Sequence, residues 1–161
     1  MASQTIIMEH GQIIRFDKDY DNCPYITIKY RGQYLFLSTQ TLNRREDFVE
    51  FVKDKYEDTG VNILDLPILD IIEQYVEDYN KNGYKIDIYN YGMIIRHKIT
   101  NKYYGVVAAK FDTEKLNCYL IDLETFNIID TPMDDWDSQM TYLKDNYIYM
   151  MNFSSLQLKI K

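Results

Sequence analysis

Alanine, proline and glycine are scarce in this chain, with three, three and six residues among 161. So few Gly and Pro leave no room for a flexible linker or a low-complexity segment between domains. Cysteine is scarcer still. Cys23 and Cys118 stand far apart and neither belongs to a CxxC pair; they could form one bridge, but without a signal peptide both thiols are expected to stay reduced. A four-ligand zinc site would need both of them together with His10 and His97, the only histidines, and none is expected. No run of 18 apolar residues exists, so no transmembrane helix is expected. The first ten residues lack a basic region and an apolar core, so export is not expected and the cytoplasm is the expected compartment. Basic charge is also short, with 18 Lys and Arg against 25 Asp and Glu and a net charge of −7. That balance excludes a protein that coats nucleic acid by neutralising phosphates.

What is present is alternation. Thr5–Met8 and Gln12–Phe16 flank Glu9-His10-Gly11, and Tyr25–Tyr30 and Gln33–Ser38 flank Arg31-Gly32. Both read as strand pairs around a turn whose Gly tolerates positive φ. A helix is predicted from Asn43, with Glu46 completing a capping box, Phe48, Phe51, Val52 and Tyr56 on one face, and Gly60 at its end. A second helix follows Asp65, with Pro67 in its first turn, the stripe Leu69, Ile72, Val76 and Tyr79 inward, and a stop at Asn80–Gly83.

Residues 84–130 then read as an antiparallel meander of about five strands, 84–89, 93–100, 103–111, 116–122 and 126–130. A third helix is predicted over 134–146, with Trp136, Met140 and Leu143 inward, and a last strand over 156–160. The expected architecture is one α+β domain over 1–161. It comprises N-terminal strands (5–38), helices (43–82), the meander (84–130) and a final helix and strand (134–160), or about three helices on antiparallel sheet.

Catalytic signatures are missing. No Walker loop, GxGxxG, GxSxG or HExxH occurs. Asp17–Asp21 begins like a calcium loop, but Asn22 and Ile28 stand where Gly and Glu are required. Asp112, Glu114 and Lys115 echo a metal-dependent nuclease, but adjacent Glu and Lys on a strand point to opposite faces. No cofactor and no metal are therefore expected.

Charge distribution says more. Residues 61–83 hold five acids and one base, and Asp70, Glu73, Glu77 and Asp78 line the predicted outer face of the second helix. Residues 84–111 hold five bases (Lys85, Arg96, Lys98, Lys102 and Lys110) and one acid, Asp87. Acids then return as Asp112, Glu114, Asp122, Glu124, Asp130, Asp134, Asp135 and Asp137, with Lys115 the one base up to residue 137. Glu73 and Glu77 are a like-charge i,i+4 pair, which weakens a helix by about 0.2–0.5 kcal/mol. An unmixed acidic stripe therefore points to a basic partner, because carboxylates on a rigid frame present charge as phosphates do.

Tyrosine is abundant, at 16 residues. Together with plentiful Ile, Asn, Lys and Asp, this is the usage that AT-rich codons produce, as in a low-GC bacterium or its phage. Exposed Tyr also suits a binding surface.

In being short, acidic and poor in motifs, the chain resembles small phage and mobile-element counter-defence proteins, and among them the type II anti-CRISPR class. The resemblance implies a non-catalytic inhibitor that binds a Cas9-type nuclease of the bacterial host directly, with no nucleic acid or membrane of its own to bind. The candidate contact residues are Asp70, Glu73, Glu77, Asp78, Asp112, Glu114, Asp122, Glu124, Asp134, Asp135 and Asp137. The alternative is a small hydrolase or nucleotide-acting enzyme that turns Arg96 and Lys98 of the basic hairpin toward a phosphate.

Overall fold

The computed structural model describes residues 8–16, 24–42, 56–109, 117–129, 136–156 and 158. They form two antiparallel sheets and, among the described residues, two α-helices. In chain order the strands are β1 (Gln12–Phe16), β2 (Tyr25–Tyr30), β3 (Gln33–Ser38), β4 (Tyr56–Asn62), β5 (Tyr84–Lys85), β6 (Met93–His97), β7 (Tyr103–Ala109), β8 (Asn117–Asp122), β9 (Ile128–Ile129) and β10 (Tyr147–Asn152). The helices are α1 (Ile68–Tyr79) and α2 (Trp136–Asn146).

The four-stranded sheet has the order β3-β2-β1-β4. Its first three strands have the bounds that alternation predicts. Arg31 and Gly32, both at positive φ, close the β2–β3 turn and set Tyr30 opposite Gln33. Gly11, at φ 88°, serves a different purpose from the predicted hairpin. Its N–H donates to the Thr27 carbonyl at 2.7 Å, and a Cβ there would strike the Asn62 side chain. Residues 5–7 and 43–55, and with them most of the predicted first strand and first helix, lie outside the described residues. Where that helix was expected to end, Tyr56–Gly60 is strand β4 paired to β1. Tyr56 matches a helical stripe by spacing, but β1 offers an open edge of backbone groups that these residues satisfy.

The six-stranded sheet has the order β5-β10-β6-β7-β8-β9. The meander holds from β6 to β9. It fails at its start, because β10 is inserted between β5 and β6. Asn90-Tyr91-Gly92 is therefore not a hairpin turn. Gly92, at φ 90°, instead lies against the Thr41 backbone, where a Cβ would collide with the carbonyl. Of the last predicted strand, Leu156 instead closes a 3₁₀ turn (Phe153–Leu156), and residues 157 and 159–161 lie outside the described residues.

Successive residues of the six-stranded sheet enter different cores, as its pleat requires. Ile94, Val107 and Ile121 join Ile13, Ile26, Ile28, Leu35 and Leu37 of the other sheet and Ile68, Ile72 and Val76 of α1 in one cluster. Ile95, Val106 and Leu120 turn the other way and pack with Met140 and Leu143 of α2. The order of layers follows: α2, then the six-stranded sheet, then α1 and the four-stranded sheet. Each fully buried Ile or Leu contributes about 1.5–3 kcal/mol.

Candidate protein-binding surface

α1 is positioned at both ends. Asn62 accepts the Leu64 N–H at 2.9 Å and donates to the His10 carbonyl at 3.0 Å, which fixes the 3₁₀ turn Ile63–Asp65 leading into the helix. Pro67 occupies the N-cap, where a missing N–H is harmless. At the far end Asn80 donates its backbone N–H to the Val76 carbonyl and its side chain to the Met150 carbonyl. With Ile68, Ile72 and Val76 held in the core, the helix cannot roll.

The outward face is therefore fixed. Asp70, Glu73, Gln74, Glu77 and Asp78 are all exposed. Gln74 donates to both carboxylate oxygens of Asp78, at 3.1 and 3.0 Å. Among the described residues, Asp70, Glu73 and Glu77 form no ion pair. Three exposed carboxylates thus stand on a fixed helix face, as the helical spacing predicts.

The second acidic block is dispersed. Asp112, Glu114, Asp134 and Asp135, like Asp130, lie outside the described residues. Asp122 is half-buried and its carboxylate accepts the Glu124 N–H at 2.8 Å, so it serves the β8–β9 turn. Phe126, at φ 57°, completes that turn, which is why β9 starts only at Ile128. Glu124 is exposed. The turn is tied across to β2: His10 accepts the Lys29 N–H at Nδ1 (3.0 Å), so Nε2 carries the proton and donates to the Thr125 carbonyl (2.9 Å). Asp137 is exposed in the first turn of α2, where its charge meets the positive end of the helix. It lines a shallow depression of ≈ 460 Å³ with Ser138, Thr141, Tyr142, Asp145 and Asn146. Because α1 and α2 pack on opposite faces of the six-stranded sheet, Asp137 does not extend the α1 surface.

The basic hairpin is taken up by structure. β6 ends at His97, and residues 98–101 turn around the His97 ring, whose Nδ1 accepts the Ile99 and Thr100 N–H groups at 3.1 and 3.3 Å. The strand thus stops three residues earlier than alternation predicts, because Asn101 takes φ 60° to donate its N–H to the His97 carbonyl. Lys98 donates its ammonium to the Lys144 carbonyl at 3.2 Å and its N–H to the Asn146 carbonyl at 2.9 Å. It closes the negative end of α2. Arg96 is half-buried, and its Nε has no hydrogen-bond partner among the described residues.

Sequence reading did not single out the tyrosines beneath α2. Tyr89, Tyr91, Tyr104, Tyr142, Tyr147 and Tyr149 converge there with Cys118. Tyr147 meets Tyr104 and His97 edge-on, with ring centroids 5.7 and 5.0 Å apart. Tyr89 donates to Gln139 Oε1 at 3.0 Å. Burial, reinforced by neighbouring Cys118, pushes the Tyr89 phenol far up, and burial with the Tyr142 hydroxyl does the same to Tyr147. Burial also raises the Cys118 thiol to about 12, against a smaller opposing effect of the Tyr89 hydroxyl. Burial thus favours the neutral forms of these groups at ordinary pH, and the cluster packs α2 against the sheet. Among the described residues, no three of His, Cys, Asp and Glu are grouped to hold a metal ion, and no helix is long and apolar enough to cross a membrane.

Comparison with known proteins finds no matching family model, no matching curated protein and no matching solved structure.

Proposed function

We propose that this chain is a non-catalytic binding protein that engages a basic, nucleic-acid-binding partner through the outward face of α1. The observation that carries the reading is the set Asp70, Glu73 and Glu77, exposed and without an ion pair among the described residues, on a helix locked at both ends. Such a set attracts a cationic groove, and its rigidity spares the cost of ordering the charges on binding. In keeping with the resemblance to counter-defence proteins, the partner proposed is a Cas9-type nuclease of a bacterial host, held off its nucleic acid by direct protein contact.

The test is binding of the full chain to a purified Cas9-type ribonucleoprotein over a salt series. Wild type should bind and weaken as salt rises. The double reversal Glu73→Lys/Glu77→Lys should weaken binding by about tenfold or more, while Asp137→Lys should leave it unchanged. Equal binding by all three proteins would sink the α1 reading. The enzymatic alternative has less support, because Lys98 spends its ammonium on the end of α2.

A further inference from the structure

Strand-forming sequence and observed pairing part company at Tyr84–Ile88. Alternation continues to Tyr89, yet pairing with β10 stops after Lys85, and residues 87–88 bend. β5 is also an outer edge of the six-stranded sheet. Ile86 is buried beneath it and anchors the segment. Around that anchor Tyr84 is 62% exposed, Ile88 is 69% exposed, and Lys85 and Asp87 are exposed as well. Neither Lys85 nor Asp87 forms an ion pair among the described residues. Edges are commonly guarded by Pro, by bulges or by unmixed charge, and this one has two large apolar side chains and one charge of each sign.

We propose that this edge pairs with the same edge of a second copy of the chain, antiparallel across a two-fold axis at Ile86. In that register Tyr84 faces the second copy's Ile88, Lys85 faces the second copy's Asp87, and Ile86 meets itself. The Tyr84–Ile88 and Lys85–Asp87 pairs each occur twice and the Ile86 pair once, on the axis, so the contact holds two opposite-charge pairs and three apolar pairs, the kinds that stabilise adjacent strands. The neighbouring registers are excluded by charge. An axis at Lys85 opposes lysine to lysine, and an axis at Asp87 opposes aspartate to aspartate. Alternation of backbone groups allows the pairing whichever of Tyr84 and Lys85 points its N–H and C=O outward, because residues facing each other are separated by an even number of positions. Pairing straightens 86–88 into the strand that the sequence already favours and joins the two six-stranded sheets edge to edge. This contact does not involve the acidic face of α1 and stands apart from the proposed function.

The experiment is sedimentation velocity of the full chain over a wide concentration series, with amide hydrogen exchange of 84–88 read at both ends of it. A dimer should appear as concentration rises, with slower exchange in 86–88. Lys85→Asp and Asp87→Lys should each weaken dimerisation by about tenfold or more. The swap Lys85→Asp/Asp87→Lys should restore it. Both positions are exposed, so near-ultraviolet circular dichroism should show the fold intact in every variant. A chain that stays monomeric throughout, or a dimer indifferent to the single reversals, overturns the proposal.

Discussion

The two faces of the six-stranded sheet are built from different chemistry. Toward α1 and the four-stranded sheet the side chains are mostly aliphatic, with Ile94, Val107, Ile121 and Met150 meeting Ile13, Ile28, Leu37 and Ile72. Toward α2 they are largely aromatic, with six tyrosines and a thiol around Ile95, Val106 and Leu120. An aliphatic face needs no polar partner and closes on contact alone, so its cost of disruption is set by volume. A tyrosine face must also place hydroxyls. Tyr89 finds Gln139, and Tyr149 donates to Asn152 at 2.9 Å. The first face joins layers, and the second seats a single helix whose end is closed by Lys98.

Each difference can be broken separately. The largest effect is expected on the aliphatic face: Ile94→Ala or Ile121→Ala should cost about 2–5 kcal/mol in urea unfolding, because the layers cannot collapse around the void. Alkali should act on the other face. The phenols of Tyr89 and Tyr147 are raised in the fold by burial, so their contribution is fully present below the unfolded tyrosine range near ~10 and is lost progressively as pH climbs from there toward the raised folded values. Stability measured from pH 9 upward should fall, and Tyr147→Phe should flatten that fall. Tyr89→Phe isolates one hydroxyl and should cost about 1 kcal/mol, since Gln139 loses its donor inside. His10→Ala removes two partly exposed hydrogen bonds between the β8–β9 turn and β2 and should cost about 1 kcal/mol or less in the same urea titration. The smallest effect is at Cys118. Its buried thiol, raised to about 12, should not react with a thiol reagent at pH 8 until denaturant is added.

Much of this was legible from residue order. β1, β2 and β3 are bounded by polar residues and turn glycines, and α1 by Pro67 and Asn80, so local chemistry and final structure agree there. The acidic face of α1 follows from the same periodicity. β4 was not legible, because Glu57, Asp58, Thr59 and Gly60 have no alternation and are strand only through β1. β10 was not, because Asn146 passes directly into Tyr147 with no Gly or Pro between helix and strand. Without β10 the place of β5 at the outer edge cannot be inferred, nor can the separation of Asp137 from α1. The tyrosine cluster was obscured for a related reason: its members come from β7, β10, α2 and the segment before β6, and long-range pairing alone assembles them.

The position of β10 also bears on how the molecule comes into being. A strand made from residues 147–152 lies between two made some fifty to sixty residues earlier, at 84–85 and 93–97. During synthesis β6 can zip to β7, and β7 to β8, but the free side of β6 stays open until residue 152 has left the ribosome. That interval carries a bare strand edge rich in isoleucine, the condition under which nascent chains associate wrongly. Refolding meets the same long loop closure before the sheet is complete, and contacts of such sequence separation are the kind that slow folding.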